Sequence, residues 1–161
     1  MQEEKAGKIT ALIVSALMIL PMLSGTSPDS VALCAGSPAY TRLTFHFFHV
    51  SVFHWALNVW CYLSIVFYYN VSAGRQLLSL LAASAVPVLW NVPTVGFSAV
   101  CFSLMAYCSL VSSNKARHIA ASVLIASVGL LLPRINGAIH LLAYALGLVV
   151  SLITVPICER K

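Results

Sequence analysis

The chain has 161 residues, of which 60% are hydrophobic and only 8% charged, with nine Lys or Arg against four Asp or Glu. A soluble domain carries about 25% charged residues, so a globule of this composition would expose large apolar patches and aggregate. The net charge of +5 comes from basic residues spread singly along the chain, which make no nucleic-acid patch. The composition excludes a soluble enzyme and a disordered tail, and leaves an integral protein of the lipid bilayer, expected as one membrane domain over residues 1–161.

A membrane helix needs about 20 apolar residues, or ~17 when short, so this length admits about six spans joined by short loops. The apolar stretches are continuous, whereas a β-barrel strand alternates over about ten residues. The fold class expected is therefore an all-α polytopic protein, a compact bundle of six transmembrane helices.

The first apolar run, about 9–24, follows the polar segment holding Lys5 and Lys8 and is broken by Gly25–Thr26–Ser27–Pro28–Asp29. It reads as a retained helix over a cleaved signal peptide, because Glu3 and Glu4 mix the charge of its polar end and Leu33 stands before Cys34. A mixed loop with Pro38 and Arg42 leads to the second run, about 47–69, rich in aromatics and interrupted by His49, His54 and Asn58. After a turn at Asn70–Arg75 the third run spans about 76–91, ending at Asn91 and Pro93. The fourth is about 98–113 and the fifth about 119–132, separated by the polar turn Asn114–His118. The sixth is about 137–157, after Pro133 and Arg134. No internal repeat is visible, which argues against an inverted-repeat transporter.

Charge sets the orientation. With both termini in the cytoplasm, the inside holds Lys5, Lys8, Arg75, Lys115, Arg117, Arg160 and Lys161 and the outside Arg42 and Arg134, seven against two. That is the bias of the positive-inside rule, and the reverse topology inverts it. A bacterial inner membrane is the location expected. Cys61, Cys101, Cys108 and Cys158 lie in or near apolar runs and Cys34 sits alone in an outer loop, so neither a disulfide framework nor a zinc site is expected.

Polar groups at membrane depth are costly and are functional candidates by default. They are His46, His49, His54, Asn58, Ser98 and His140, and no Asp or Glu lies in any expected span. That absence argues against carboxylate proton pumps, ion-coupled carriers, a Ser-His-Asp triad and a carboxylate-bound metal. Ser98 follows Pro93–Thr94–Val95–Gly96–Phe97 at the head of the fourth helix, where backbone N–H groups without intrahelical partners form a partly positive pocket. Ser98 to Ser113 is 16 residues, about 24 Å at about 1.5 Å each, shorter than the ~30 Å hydrocarbon core, so Ser98 is expected below the outer surface. His140 heads the sixth helix, and its face continues through Ala143, Tyr144 and Gly147, small enough at two positions for close helix approach. A neutral imidazole there is suited to take the Ser98 proton. His54 and Asn58, one turn apart on one face, are suited to donate to the charged oxygen of a tetrahedral intermediate. The bland reading of a lone membrane histidine is packing, and it is the one adopted for His46 and His49.

These residues resemble the rhomboid family of intramembrane serine proteases, from about Arg42 to Gly147. His54-Trp-Ala-Leu-Asn58 is similar to its HxxxN element, Gly96-Phe97-Ser98-Ala99 to its GxSG element, and His140-Leu-Leu-Ala143-Tyr-Ala-Leu-Gly147 to its HxxGxxxG helix. The resemblance implies a Ser98–His140 catalytic dyad and an oxyanion hole from His54, Asn58 and the Ser98 N–H. It also implies support from Gly96, Ala143 and Gly147, with Phe102 where the family often has a tyrosine that packs on the catalytic histidine. His49 falls where the family often has a further histidine, and His46 receives no role. Ala99 and Ala143 replace glycines, and Ile139 stands where a small residue is usual, each adding bulk near the helix contact.

The function implied is an intramembrane serine endopeptidase acting on transmembrane protein substrates, without cofactor or metal. The second class is a catalytically inactive rhomboid-like protein that binds membrane helices. Retention of both Ser98 and His140 favours the first.

Overall fold

The computed structural model describes residues 2–132 and 135–156. Among these the secondary structure is helical, with no strand and one isolated bridge between Leu33 and Thr94. The main helices are α1 (Gln2–Leu17), α2 (Leu20–Leu23), α3 (Thr41–Thr44), α4 (Val52–Tyr69), α5 (Ala73–Ser84), α6 (Ser98–Val111), α7 (Lys115–Leu131) and α8 (Gly137–Thr154). Two stretches, Gln2–Leu23 and Gly137–Thr154, are long and apolar enough to cross a membrane. A third is reached if Thr41–Phe47 and Val52–Tyr69, bent by 97°, make one span.

The helix ends follow local chemistry. Pro21 in the first turn of α2 has no N–H to continue the ladder, and the chain breaks between α1 and α2. Ser51 caps α4 by accepting from the His54 N–H at 3.1 Å. Asn70 closes the same helix in the left-handed region, φ 52°, with its N–H on the Val66 carbonyl. Asn114 and Asn136 cap α7 and α8 by accepting from Arg117 and Ile139.

The structure is all-helical as expected, but among the described residues it shows two or three candidate crossings and not six: α6 has only 14 residues and α7 17, and other expected spans change their bounds. The run expected at about 76–91 is helical only to Ser84, and its tail carries no regular secondary structure. Pro87 and Pro93 bias the residues before them away from the helical region. The tail instead pairs with the loop at Leu33–Ala35, Leu33 N–H to Thr94 carbonyl at 2.9 Å and Ala35 N–H to Trp90 carbonyl at 2.8 Å. The run expected at about 47–69 is broken between Phe47 and Val52, where the 97° bend falls. The sixth run keeps its start but ends at Thr154; Ile157, Cys158, Arg134, Arg160 and Lys161 lie outside the described residues.

The chain divides into two compact units, Met1–Leu77 with Pro87–Ser98, and Leu78–Val86 with Ala99–Lys161. In the first, α1 packs on α4, with the Lys8 ammonium 5.7 Å from the Phe67 ring centroid. Gly7 allows the close approach, since a Cβ there would lie 2.2 Å from the Val71 carbonyl oxygen. Gln76 joins the elements, donating to the Gly7 and Val71 carbonyls at 2.9 and 3.0 Å and accepting from the Tyr62 hydroxyl at 2.5 Å. In the second unit α7 packs on α8 at Gly137, where a Cβ would meet the Leu130 nitrogen at 2.4 Å. Helix α6 is buried on nearly every side, as suits a helix apolar all round.

Candidate active site

Ser98 is the first residue of α6, and the loop ahead of it is held from several directions. Gly96 donates its N–H to the Phe45 carbonyl at 2.9 Å, and the buried His46 ring bonds to the Gly96 backbone. Phe97 is 2% exposed and inserts among aromatic rings, with centroids 4.9 Å from Tyr62 and 6.0 Å from Phe47. These contacts hold the irregular backbone ahead of the helix in place.

Gly96 also explains why the loop needs a glycine. Its φ is +127°, which L side chains rarely adopt. A Cβ there would lie 2.8 Å from both Cε1 and Nε2 of His54 and 3.7 Å from Asn58 Nδ2. The backbone two residues before Ser98 therefore rests on the His54 ring with the Asn58 amide beside it. Asn58 is buried and spends one N–H on the His54 carbonyl at 2.9 Å, a bond along its own helix. His49 stacks edge-on against His54, centroids 5.1 Å apart.

The second unit holds His140, half-buried in the first turn of α8. The Phe102 ring lies face-on over it, centroids 4.5 Å apart and planes 22° from parallel. Ala143 is fully buried, and Gly147 sits against α6. A Cβ at Gly147 would meet Ser103 Oγ at 2.6 Å and its Cα at 2.7 Å. Gly147 thus lets α8 approach α6 closely.

Within the first unit, which also holds Ser98, Gly96 meets His54 and Asn58; within the second, Phe102 meets His140 and Gly147 meets Ser103. Among the described residues no cluster of three or more His, Cys, Asp or Glu could hold a metal. Sequence reasoning gave His46 no role, yet it is wholly buried and tied to Gly96. Its partner lies 50 residues away in the chain, and no spacing rule links the two. No family model, curated protein or solved structure matches this chain.

Proposed function

We propose that the protein is an intramembrane serine endopeptidase of rhomboid type, a six-span bundle with both termini in the cytoplasm of a bacterial cell. Its substrates are transmembrane segments that unwind locally to expose a carbonyl. In this reading His140 takes the proton of Ser98, and the Ser98 oxygen attacks the scissile carbonyl. The oxyanion is held by the Ser98 N–H, His54 and Asn58. His140 then protonates the leaving amine, and water hydrolyses the acyl-enzyme.

The observation that carries the reading is the seat of Gly96 on His54 and Asn58. A glycine with φ of +127°, whose Cβ would overlap the His54 ring, brings the backbone two residues before a helix-heading serine against His54 and Asn58. An oxyanion site needs such an arrangement, since the donors must be fixed before charge develops. The Phe102 ring stacked over His140 covers one face of the imidazole and leaves the ring edge for proton transfer.

The test is cleavage of a model transmembrane substrate by purified wild-type, Ser98→Ala and His140→Ala protein in lipid vesicles. The reading requires loss of turnover in both variants with unchanged helical content. Wild-type turnover in Ser98→Ala removes it, and a wild type that binds the substrate without cutting it points to the inactive helix binder.

A further inference from the structure

Helices α6, α7 and α8 also meet at a polar cluster that the hydrolytic reading does not use. Ser109 is fully buried on α6. Its Oγ lies 2.8 Å from the Met105 carbonyl, 2.8 Å from the Tyr144 hydroxyl on α8 and 2.9 Å from His118 Nδ1 on α7. A serine hydroxyl has one proton and two lone pairs. The carbonyl can only accept, so Ser109 donates to Met105. Tyr144 and His118 Nδ1–H must then both donate to Ser109. This is the one arrangement that satisfies all three contacts, and it fixes the His118 tautomer.

The position of the cluster gives it a consequence. Tyr144 is one helical turn from His140 on α8, and Ser109 is two turns from Phe102 on α6, so each pair shares a face. The contacts between the two faces include the Phe102–His140 stack at 4.5 Å and the Ser109–Tyr144 bond at 2.8 Å. Stacked rings slide and rotate at little cost, whereas a short hydrogen bond in an apolar interior is directional and costly to leave unmade. The close seat of Gly147 on Ser103 removes lateral play but does not set rotation. We propose that Ser109, Tyr144 and His118 are positioning residues for His140, setting the rotation and axial register of α8 on α6. The inference rests on His140 as the general base.

The experiment uses full-length protein in lipid vesicles with a fluorogenic peptide containing a transmembrane segment. Rates are paired with 15N NMR of the histidine-labelled protein. Tyr144→Phe removes one hydroxyl and keeps the ring, and Ser109→Ala removes the hub. Each should lower kcat by about tenfold to a hundredfold with KM unchanged, the range that small misplacements of reacting groups produce. The double variant should fall no further than the worse single one. His118→Asn, which keeps an N–H close to the Nδ1 position, should retain kcat that His118→Ala loses. The His140 15N resonances should move in Tyr144→Phe. Wild-type kcat and unmoved His140 resonances in Tyr144→Phe overturn the proposal. If wild-type protein does not cleave at all, the hydrolytic reading fails separately. The resonances then decide alone: movement in Tyr144→Phe supports the coupling, and its absence removes it.

Discussion

Replacing Gly96 by alanine adds a single carbon, and its effect can be worked from the geometry. The new Cβ would stand 2.8 Å from two atoms of the His54 ring, where ordinary contacts begin near 3.4 Å. Relief requires a shift of about half an ångström or more by the ring or the loop, against tight packing that resists such movement. The backbone cannot simply rotate away, because φ of +127° is already costly for an L residue, about 1–3 kcal/mol. Ser98 follows two residues later, with Phe97 buried between them, so a shift in the loop moves the serine and its N–H as well. Displacing one oxyanion donor costs about 10²–10³ in rate where such donors have been removed. The expected outcome for Gly96→Ala is therefore a loss of about 10²-fold or more in kcat, with substrate affinity little changed because the contact forms in the transition state. Gly74→Ala is the control: no atom lies within 4 Å of the added carbon, and the position is helical without positive φ. It should leave turnover intact and stabilise by about 0.4–1 kcal/mol through the unfolded chain. The assay is kcat and KM on a model transmembrane substrate, with thermal unfolding measured in parallel. Turnover of Gly96→Ala equal to wild type refutes the reasoning.

His54→Ala and Asn58→Ala should each lower turnover less completely than loss of Ser98, because the Ser98 N–H survives; near-normal turnover in both, and in the shape-matched His54→Phe, would remove the pair from the site. Gly147→Ala should destabilise by about 1–3 kcal/mol, the usual cost of overpacking, since its Cβ meets Ser103 backbone at 2.7 Å; an unchanged unfolding midpoint would show that α8 has slack against α6. Cysteines introduced beside Lys8 and Lys115 should resist an impermeant thiol reagent added outside, while one beside Tyr40 should react. Outside labelling at Lys8 contradicts the six-span orientation.

Much of the fold was legible because membrane physics is blunt. Low charge and continuous apolar runs pointed to helices, and Asn70 and Asn114 mark helix boundaries, but Ala73–Arg75 and Lys115–His118, expected as turn, belong to the helices that follow. The bend before α4 was not legible. Phe47–Phe48–His49–Val50–Ser51 contains neither Gly nor Pro and reads as part of an apolar run, yet the chain turns there through 97°. The short α5 could have been read from Pro87 and Pro93, but hydropathy alone treats Val86–Trp90 as more membrane helix. Within the candidate site, Gly96, His54 and Asn58 were visible because their residue types stand out in or beside an apolar run. The roles of His46 and Ser109 were not. His46 meets Gly96 only through the tertiary fold, and Ser109 sits in an apolar run where a serine ordinarily bonds its own helix.

The central claim is that Ser98 is an activated nucleophile, and a serine-reactive fluorophosphonate tests it most directly. Purified protein in lipid vesicles is incubated with the probe, and the modified residue is located by peptide mass spectrometry. The account predicts adduct formation on Ser98 at a rate that falls sharply in His140→Ala and vanishes in Ser98→Ala. No adduct on Ser98 in folded wild-type protein, or the same labelling rate without His140, would contradict it.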